Sequence, residues 1–228
     1  MRLLIEFKKT ERVRHLGLLD MQRTMQRALR RSHLPVSYST GFNPHMNMSF
    51  ASALSSGVPG DAEILDVAMA EPVTEAEAME KLSAALPDAL PVNRVRLVDD
   101  RFKKMGALLE AAAYIYTVHA SDEESAKLVD AISGFLAQSE IMALRKSKSA
   151  ERMVDIRPMI FALSGKQTEG GAELTATVSF TEPATLKPTL LLSALAAYAG
   201  MDVPQVFIRR TGLFGRLDGQ LHPLFDMP

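Results

Sequence analysis

The plainest chemistry in this sequence belongs to four arginines, Arg23, Arg27, Arg30 and Arg31, on one side of a predicted helix over residues 18–32. At 100° per residue, Leu18, Met21, Met25, Ala28 and Leu29 take the other side, and Asp20 lies three positions before Arg23. Like charges this close repel by about a few tenths of a kcal/mol per pair, so a face serving solubility alone could mix signs. Guanidinium forks suit phosphate and carboxylate oxygens, which makes the face a candidate for RNA backbone or an acidic partner. The plainer alternative is a solvated surface. Further basic clusters are Arg145-Lys146-Ser147-Lys148 with Arg152 and Arg157, and Arg209-Arg210 with Arg216. Phe and Tyr together make up only 6% of the chain and none sits at the positions of an RNP stacking motif. Backbone contact is therefore the mode of RNA binding that the sequence supports.

A second feature is the run from Tyr38 to Phe50, with Gly41, Phe42, Asn43, Pro44 and His45 at its centre. Gly41 and the Asn-Pro pair mark a turn of defined backbone geometry. Phe42 is apolar within that polar turn, so it is either a plug into the core or a contact for a partner. His45 could donate, accept or titrate near neutrality, although a lone loop histidine is more often structural or simply exposed. No catalytic constellation assembles by spacing. The five histidines show no metal-ligand spacing, and P-loop, GxGxxG and GxSxG patterns are missing. The acidic candidates are Asp20, Glu63 and Asp66. Gly215-Arg216-Leu217-Asp218-Gly219 faintly resembles the Arg-Thr-Asp neighbourhood of pseudouridine synthases, which also use doubled ferredoxin-like units. Leu217 stands where the threonine belongs and the segment lies at the C-terminal end, so it reads as a coincidence.

The elements that must position these residues read as one unit written twice. Residues 2–8 predict a strand, 18–32 a helix, 35–39 a strand, 48–52 a strand and 62–70 a strand with one mostly apolar side. A helix follows over 75–86, with a capping box at Thr74 and Glu77 and an apolar stripe of Ala76, Met79, Leu82 and Leu86. Residues 92–98 close the unit as a strand. After a connector over 99–111 the pattern restarts: a strand at 113–120, then a helix at 122–137 with a Ser121/Glu124 capping box and a stripe of Ala126, Val129, Ile132 and Leu136. Strands follow at 141–147, 153–165 and 173–180, then a helix from Pro188 to Ala199 stopping at Gly200, and a strand at 206–214. Ala62-Glu63 with Glu71-Pro72 in the first half matches Ala172-Glu173 with Glu182-Pro183 in the second. The expected fold is α+β: tandem duplicated ferredoxin-like (β-α-β-β-α-β) units with antiparallel sheets. Residues 1–98 form the first unit, 99–111 the connector, and 112–228 the second unit with a C-terminal tail. The two sheets could form one platform or face each other across a cleft.

Composition sets the outer bounds. The chain has 228 residues, 47% hydrophobic and 23% charged, as an ordinary globular protein does. It has no cysteine, which excludes a disulfide framework, a thiolate-zinc site and an iron–sulfur cluster of the usual kind. No segment reads as a signal peptide or membrane span, so a cytoplasmic setting is the expectation and no cofactor or metal is called for. The net charge of -1 conceals a division: residues 1–50 carry nine bases against three acids, and residues 51–100 three bases against ten acids.

Taken together, Arg2-Leu3-Leu4 with Phe7, Leu19-Asp20 with Arg23, Ala28-Leu29-Arg30-Arg31, Gly41-Phe42-Asn43-Pro44-His45, Ser49-Phe50-Ala51, and Gly57-Val58 leading to Glu63 and Asp66 carry a resemblance. The sequence resembles the radical-SAM-linked uncharacterised bacterial domain family, whose members are fused to the C-terminal end of a radical SAM protein or encoded beside one. The match covers about the first hundred residues well and the second half loosely, around Arg157 and Arg210 to Pro223. Gly17 and Leu18 stand where the family often has Ser-His, and Met46 and Asn47 where it usually has proline and a basic residue. The resemblance implies a radical SAM protein as partner and no established activity; RNA, ribosomal or transfer, is the partner that the basic helix face suggests beside it. Three readings compete. The first is a non-catalytic subunit presenting RNA or an RNA-linked substrate to a radical SAM enzyme. The second is an enzyme acting on RNA or a small acidic substrate through Asp20 and His45, with Glu63 or Asp66. The third is an adaptor docking through Phe42.

Overall fold

The computed structural model describes residues 1–146, 151–181 and 184–228. The chain divides into two units, Met1–Leu109 with Gly212–Pro228, and Glu110–Thr211. Both are mixed α+β, and their sheets are mostly antiparallel.

In the first unit the central strand β1 (Arg2–Lys9) is buried at every residue but Lys8. Helix α1 (Leu18–Arg31) follows, then the short β2 (Met48–Phe50), β3 (Gly60–Ala68), α2 (Glu75–Ala85), β4 (Val92–Val98) and a single turn, α3 (Met105–Leu108). β1 lies between β4 and β3, and β2 adds to the far side of β3. Alternation sends Leu3, Ile5, Phe7, Leu65 and Val67 into a core with Met21, Met25, Ala28 and Leu29 of α1 and Ala78 and Leu82 of α2. The opposite alternation carries ions. Arg2 donates to both carboxylate oxygens of Asp66 at 3.0 Å, and Arg94 donates to Glu6 at 3.0 and 3.1 Å. Arg94 also pairs with Asp226 and stacks 4.3 Å over the Phe225 ring, while Arg96 donates to the carbonyls of Phe225 and Met227. The C-terminal residues are thus fastened to β4.

The second unit runs through β5 (Ala111–His119), α4 (Asp122–Ala137), the hairpin β6 (Met142–Lys146) and β7 (Glu151–Asp155), β8 (Ile160–Thr168), β9 (Gly171–Ser179), α5 (Pro188–Tyr198) and β10 (Gln205–Leu217). β9 pairs with β5 on one side and β8 on the other. Helix α4 packs on β8 and β9 and against α5, where Phe135 meets Tyr198 edge-on at 5.6 Å. The β10 strand crosses from this unit into the first and turns at Asp218-Gly219, both at positive φ (50° and 80°), into β11 (Gln220–Pro223). Positive φ at both central residues is what a tight two-residue hairpin requires.

Several expected elements differ. Residues 35–39 form only isolated bridges, Val36 to Met69 and Tyr38 to Met46, in place of a strand. The predicted strand over 153–165 breaks at Arg157–Met159, because Pro158 has no N–H to give a ladder. The Thr74 cap accepts from the Glu77 amide, but the Glu77 carboxylate is drawn forward to Lys81 at 2.7 Å. In α2 the buried positions are Ala78 and Leu82, and Ala76 is exposed. In α4 the buried positions are Ser125, Leu128, Ile132 and Phe135: Ile132 lies on the predicted stripe, while its other members Ala126, Val129 and Leu136 are half-buried. The Ser121/Glu124 box closes fully. Residues 147–150, with Ser147 and Lys148 of the second basic cluster, and Glu182-Pro183 of the repeat motif lie outside the described residues.

Candidate functional site

Helix α1 is anchored on the core by Met21, Met25, Ala28 and Leu29, which fixes the outward bearing of the arginines. Arg23, Arg27, Arg30 and Arg31 are all exposed to solvent. The Arg23 side chain is 70% exposed, and its pair with Asp20 is loose, at 3.8 Å. A solvated pair of this kind stabilises a helix by about 0.3–0.5 kcal/mol and opens readily. Arg27 reaches only the Thr24 hydroxyl, at 3.5 Å, and Arg30 has no partner among the described residues. Arg31 differs, donating at 2.7 Å to the carbonyl of Ala85, the last residue of α2. It complements the negative end of that helix and is less available to a ligand than the other three.

The loop 39–45 is closed at its base by hydrogen bonds. The Ser39 amide donates to the His45 carbonyl at 2.8 Å, the His45 amide to the Ser39 hydroxyl at 3.1 Å, and that hydroxyl lies 3.0 Å from His45 Nδ1. Gly41 takes φ +124°, and Phe42 at the tip is fully exposed, at 110% of its reference area. Phe42 is therefore no core plug, and His45 is a structural brace for the turn.

The acidic candidates do not share a surface. Asp20 is exposed, whereas Asp66 is 1% exposed and clasped by Arg2, with the Lys104 ammonium at 3.6 Å. Glu63 is also buried, but three residues along the strand and so on the other face of the sheet, where it and Lys9 line a small cavity. Asp66 acts on the segment after β4: Arg2, fixed by it, donates to the carbonyls of Asp100, Phe102 and Lys103. The Met1 ammonium donates to Asp100 at 2.5 Å and holds that carboxyl below its usual range. Among the described residues no three or more His, Asp and Glu side chains group to hold a metal ion.

The remaining basic clusters are only partly surface features. Arg145 and Arg152 face each other directly across the β6–β7 hairpin, and the Lys146 backbone pairs with Glu151. Arg157 is turned inward, donating to the Leu136 carbonyl at 2.9 Å. Arg210 is buried over the Phe180 ring, and Arg216 donates to Gly219 within the hairpin turn. The Arg216-Leu217-Asp218-Gly219 run is accounted for by that turn, and an Asp-Gly pair between strand-like runs was the signal for it. The sequence reading missed a groove beside the start of α1, lined by Leu18, Gln22, Met48, Ser49, Phe50 and Ser52 among others. The Leu18 expected on the buried stripe is 43% exposed there.

Fold and site together define a mixed α+β protein with antiparallel sheets, a cationic helix face and a projecting aromatic loop. The chain belongs to a bacterial family described as uncharacterized protein conserved in bacteria (DUF2344), whose pattern matches residues 2–188 and so includes both features. No curated protein matches it. Among solved structures it is similar to a chain of the crystal structure of a Cbf5-Nop10-Gar1 complex, at 13% identity and a TM-score of 0.53. That similarity covers 92% of this chain and 48% of the other, so this chain spans about half of that one's length. At this identity the likeness is one of fold. Among the described residues no helix is long and apolar enough to cross a membrane.

Proposed function

We propose that this protein is a non-catalytic, cytoplasmic binding subunit that grips the phosphate backbone of RNA on the arginine face of α1 and presents it to a radical SAM enzyme. The observation that carries the reading is the state of that face: Arg23, Arg27 and Arg30 reach solvent, and the only carboxylate paired with any of them among the described residues is Asp20, at 3.8 Å. Arginines kept for solubility could have been interleaved with acids, of which residues 51–100 hold ten. The radical SAM partner rests on the family resemblance. With no cysteine among these 228 residues, a cluster-dependent step is not carried by them.

The scaffold in this reading is a duplicated ferredoxin-like module. Its support is the recurrence of one order: β1-α1-β2-β3-α2-β4, then β5-α4-β8-β9-α5-β10 with the β6–β7 hairpin inserted. Within each, the first strand pairs with the third and the third with the second.

The test is fluorescence anisotropy with a labelled single-stranded RNA at two salt concentrations. Arg23→Ala with Arg27→Ala should weaken low-salt binding severalfold while leaving the fold intact, since neither side chain is part of the core. Unchanged affinity contradicts the reading. A second reading, docking on a protein partner, is favoured by one observation, the fully exposed Phe42 on its braced loop. Exposed aromatics presented rigidly are typical interface anchors. Phe42→Ala should abolish co-purification with the partner and leave RNA affinity unaltered; retained co-purification sinks the docking role.

A further inference from the structure

Gln22 follows the Asp20-Met21 step on α1 and precedes Arg23, and it forms one wall of an open groove of about 190 Å³. Leu18, Met48 and Phe50 supply apolar walls, and Ser52 is among the lining residues. Phe50 is steadied by an edge-on contact with Phe7, the ring centroids 6.2 Å apart, and by its pairing with Leu65 in the sheet. The Ser52 hydroxyl is shut off from solvent and has no hydrogen-bond partner among the described residues. A second, more enclosed cavity shares Leu18, Phe50 and Ser52 with the groove, and the buried Lys9 and Glu63 lie along it.

A buried hydroxyl without a partner is costly unless something supplies one. What this groove offers is an apolar wall from an aromatic ring, a primary amide that both donates and accepts, and the hydroxyls of Ser49 and Ser52. Such a set is matched by a planar heterocycle with hydrogen-bonding groups on its rim. The cationic helix continues past the groove on the same element, with Arg23 the residue after Gln22 and Arg27 one turn on. We infer that the groove beside the N-terminal turn of α1 receives one unstacked nucleobase of the strand whose phosphates lie along the arginines. This rests on the RNA reading above and assigns Gln22, Phe50 and Ser52 as base-contacting residues. It also gives the partly exposed Leu18 a role, as an apolar wall of the groove. One isolated aromatic wall is compatible with the lack of an RNP-type stacking surface, because a single base needs a single platform.

The probe is a fluorescein-labelled single-stranded RNA decamer of mixed sequence, compared with a decamer of the same length made of abasic residues. The wild-type chain should bind the base-bearing strand at least about fivefold more tightly than the abasic one, as expected for one stacked base. Gln22→Ala with Ser52→Ala should erase that preference while leaving the abasic affinity and its salt dependence unchanged. Leu18→Trp, which fills the groove without touching an arginine, should do the same. Competition by nucleoside monophosphates at concentrations that leave the abasic strand bound would support the groove as a base site, by a free nucleotide as well as a strand. Equal, salt-sensitive binding of both decamers overturns the groove and leaves the arginine face standing. Failure of both decamers to bind overturns the two readings together.

Discussion

The Asp66 carboxylate takes two hydrogen bonds from one guanidinium, at 3.0 Å each, with both groups almost wholly removed from water. Removing one partner of such a pair leaves an uncompensated buried charge, at a cost of about 3–5 kcal/mol. Asp66→Asn should therefore lower the urea midpoint sharply, while the folded fraction keeps its RNA affinity. A loss of RNA binding without a loss of stability would show that Asp66 serves the ligand instead of the fold. Which arginines face outward on α1 was legible from a 100° period, because Met21, Met25, Ala28 and Leu29 leave only one way to lay the helix down. The fate of an individual charge was not. Asp20, Glu63 and Asp66 look alike in the sequence; what separates them is a partner 64 residues away for Asp66 and a sheet face for Glu63. Arg31 looks like Arg27 until the C-terminus of α2 comes alongside.

At the scale of elements, local capping rules succeeded where nothing competed. Ser121 and Glu124 form the complete reciprocal box, whereas Glu77, with Lys81 four residues on, chooses the ion pair. The Ser121 hydroxyl and amide hold the Glu124 carboxyl below the ordinary glutamate value of 4.5. Since its folded value lies below the unfolded one, the contribution of Glu124 to stability is complete above pH 4.5 and is lost as pH falls through the lower folded value. Wild-type urea midpoints should hold steady from pH 7 to about 5 and decline below, with a shallower decline in Glu124→Gln. Ser121→Ala should cost about 1 kcal/mol at pH 7. Parallel curves for wild type and Glu124→Gln would remove the box from the account. The groove beside α1 escaped the sequence because it is made by β2, the segment after it and α1, brought together only by pairing of β2 with β3. The strand break at Arg157-Pro158, by contrast, was visible in the proline and was overridden by the apolar run around it.

Over the whole molecule, charge is divided more sharply than the net value of -1 conveys, and the basic share is concentrated on the stretch that contains α1. Formal charge alone overstates the binding surface. Arg2, Arg94, Arg96, Arg157 and Arg210 are drawn into the architecture: Arg2 holds the carbonyls of residues 100–103, Arg94 and Arg96 the C-terminal residues and Arg157 the end of α4, while Arg210 lies over the half-buried Phe180 ring. Of the arginines on α1, Arg23, Arg27 and Arg30 keep their reach into solvent. Each phosphate neutralised on a single strand contributes about -0.7 to the slope of log affinity against log salt. The most direct measurement is that slope for a labelled single-stranded RNA between 50 and 200 mM salt, roughly the range over which such contacts weaken, for wild type and for Arg23→Ala with Arg27→Ala. The account predicts a wild-type slope of about -2 from these three side chains and a slope shallower by about 1.4 in the double variant. A flat wild-type slope, or identical slopes for the two proteins, would contradict it.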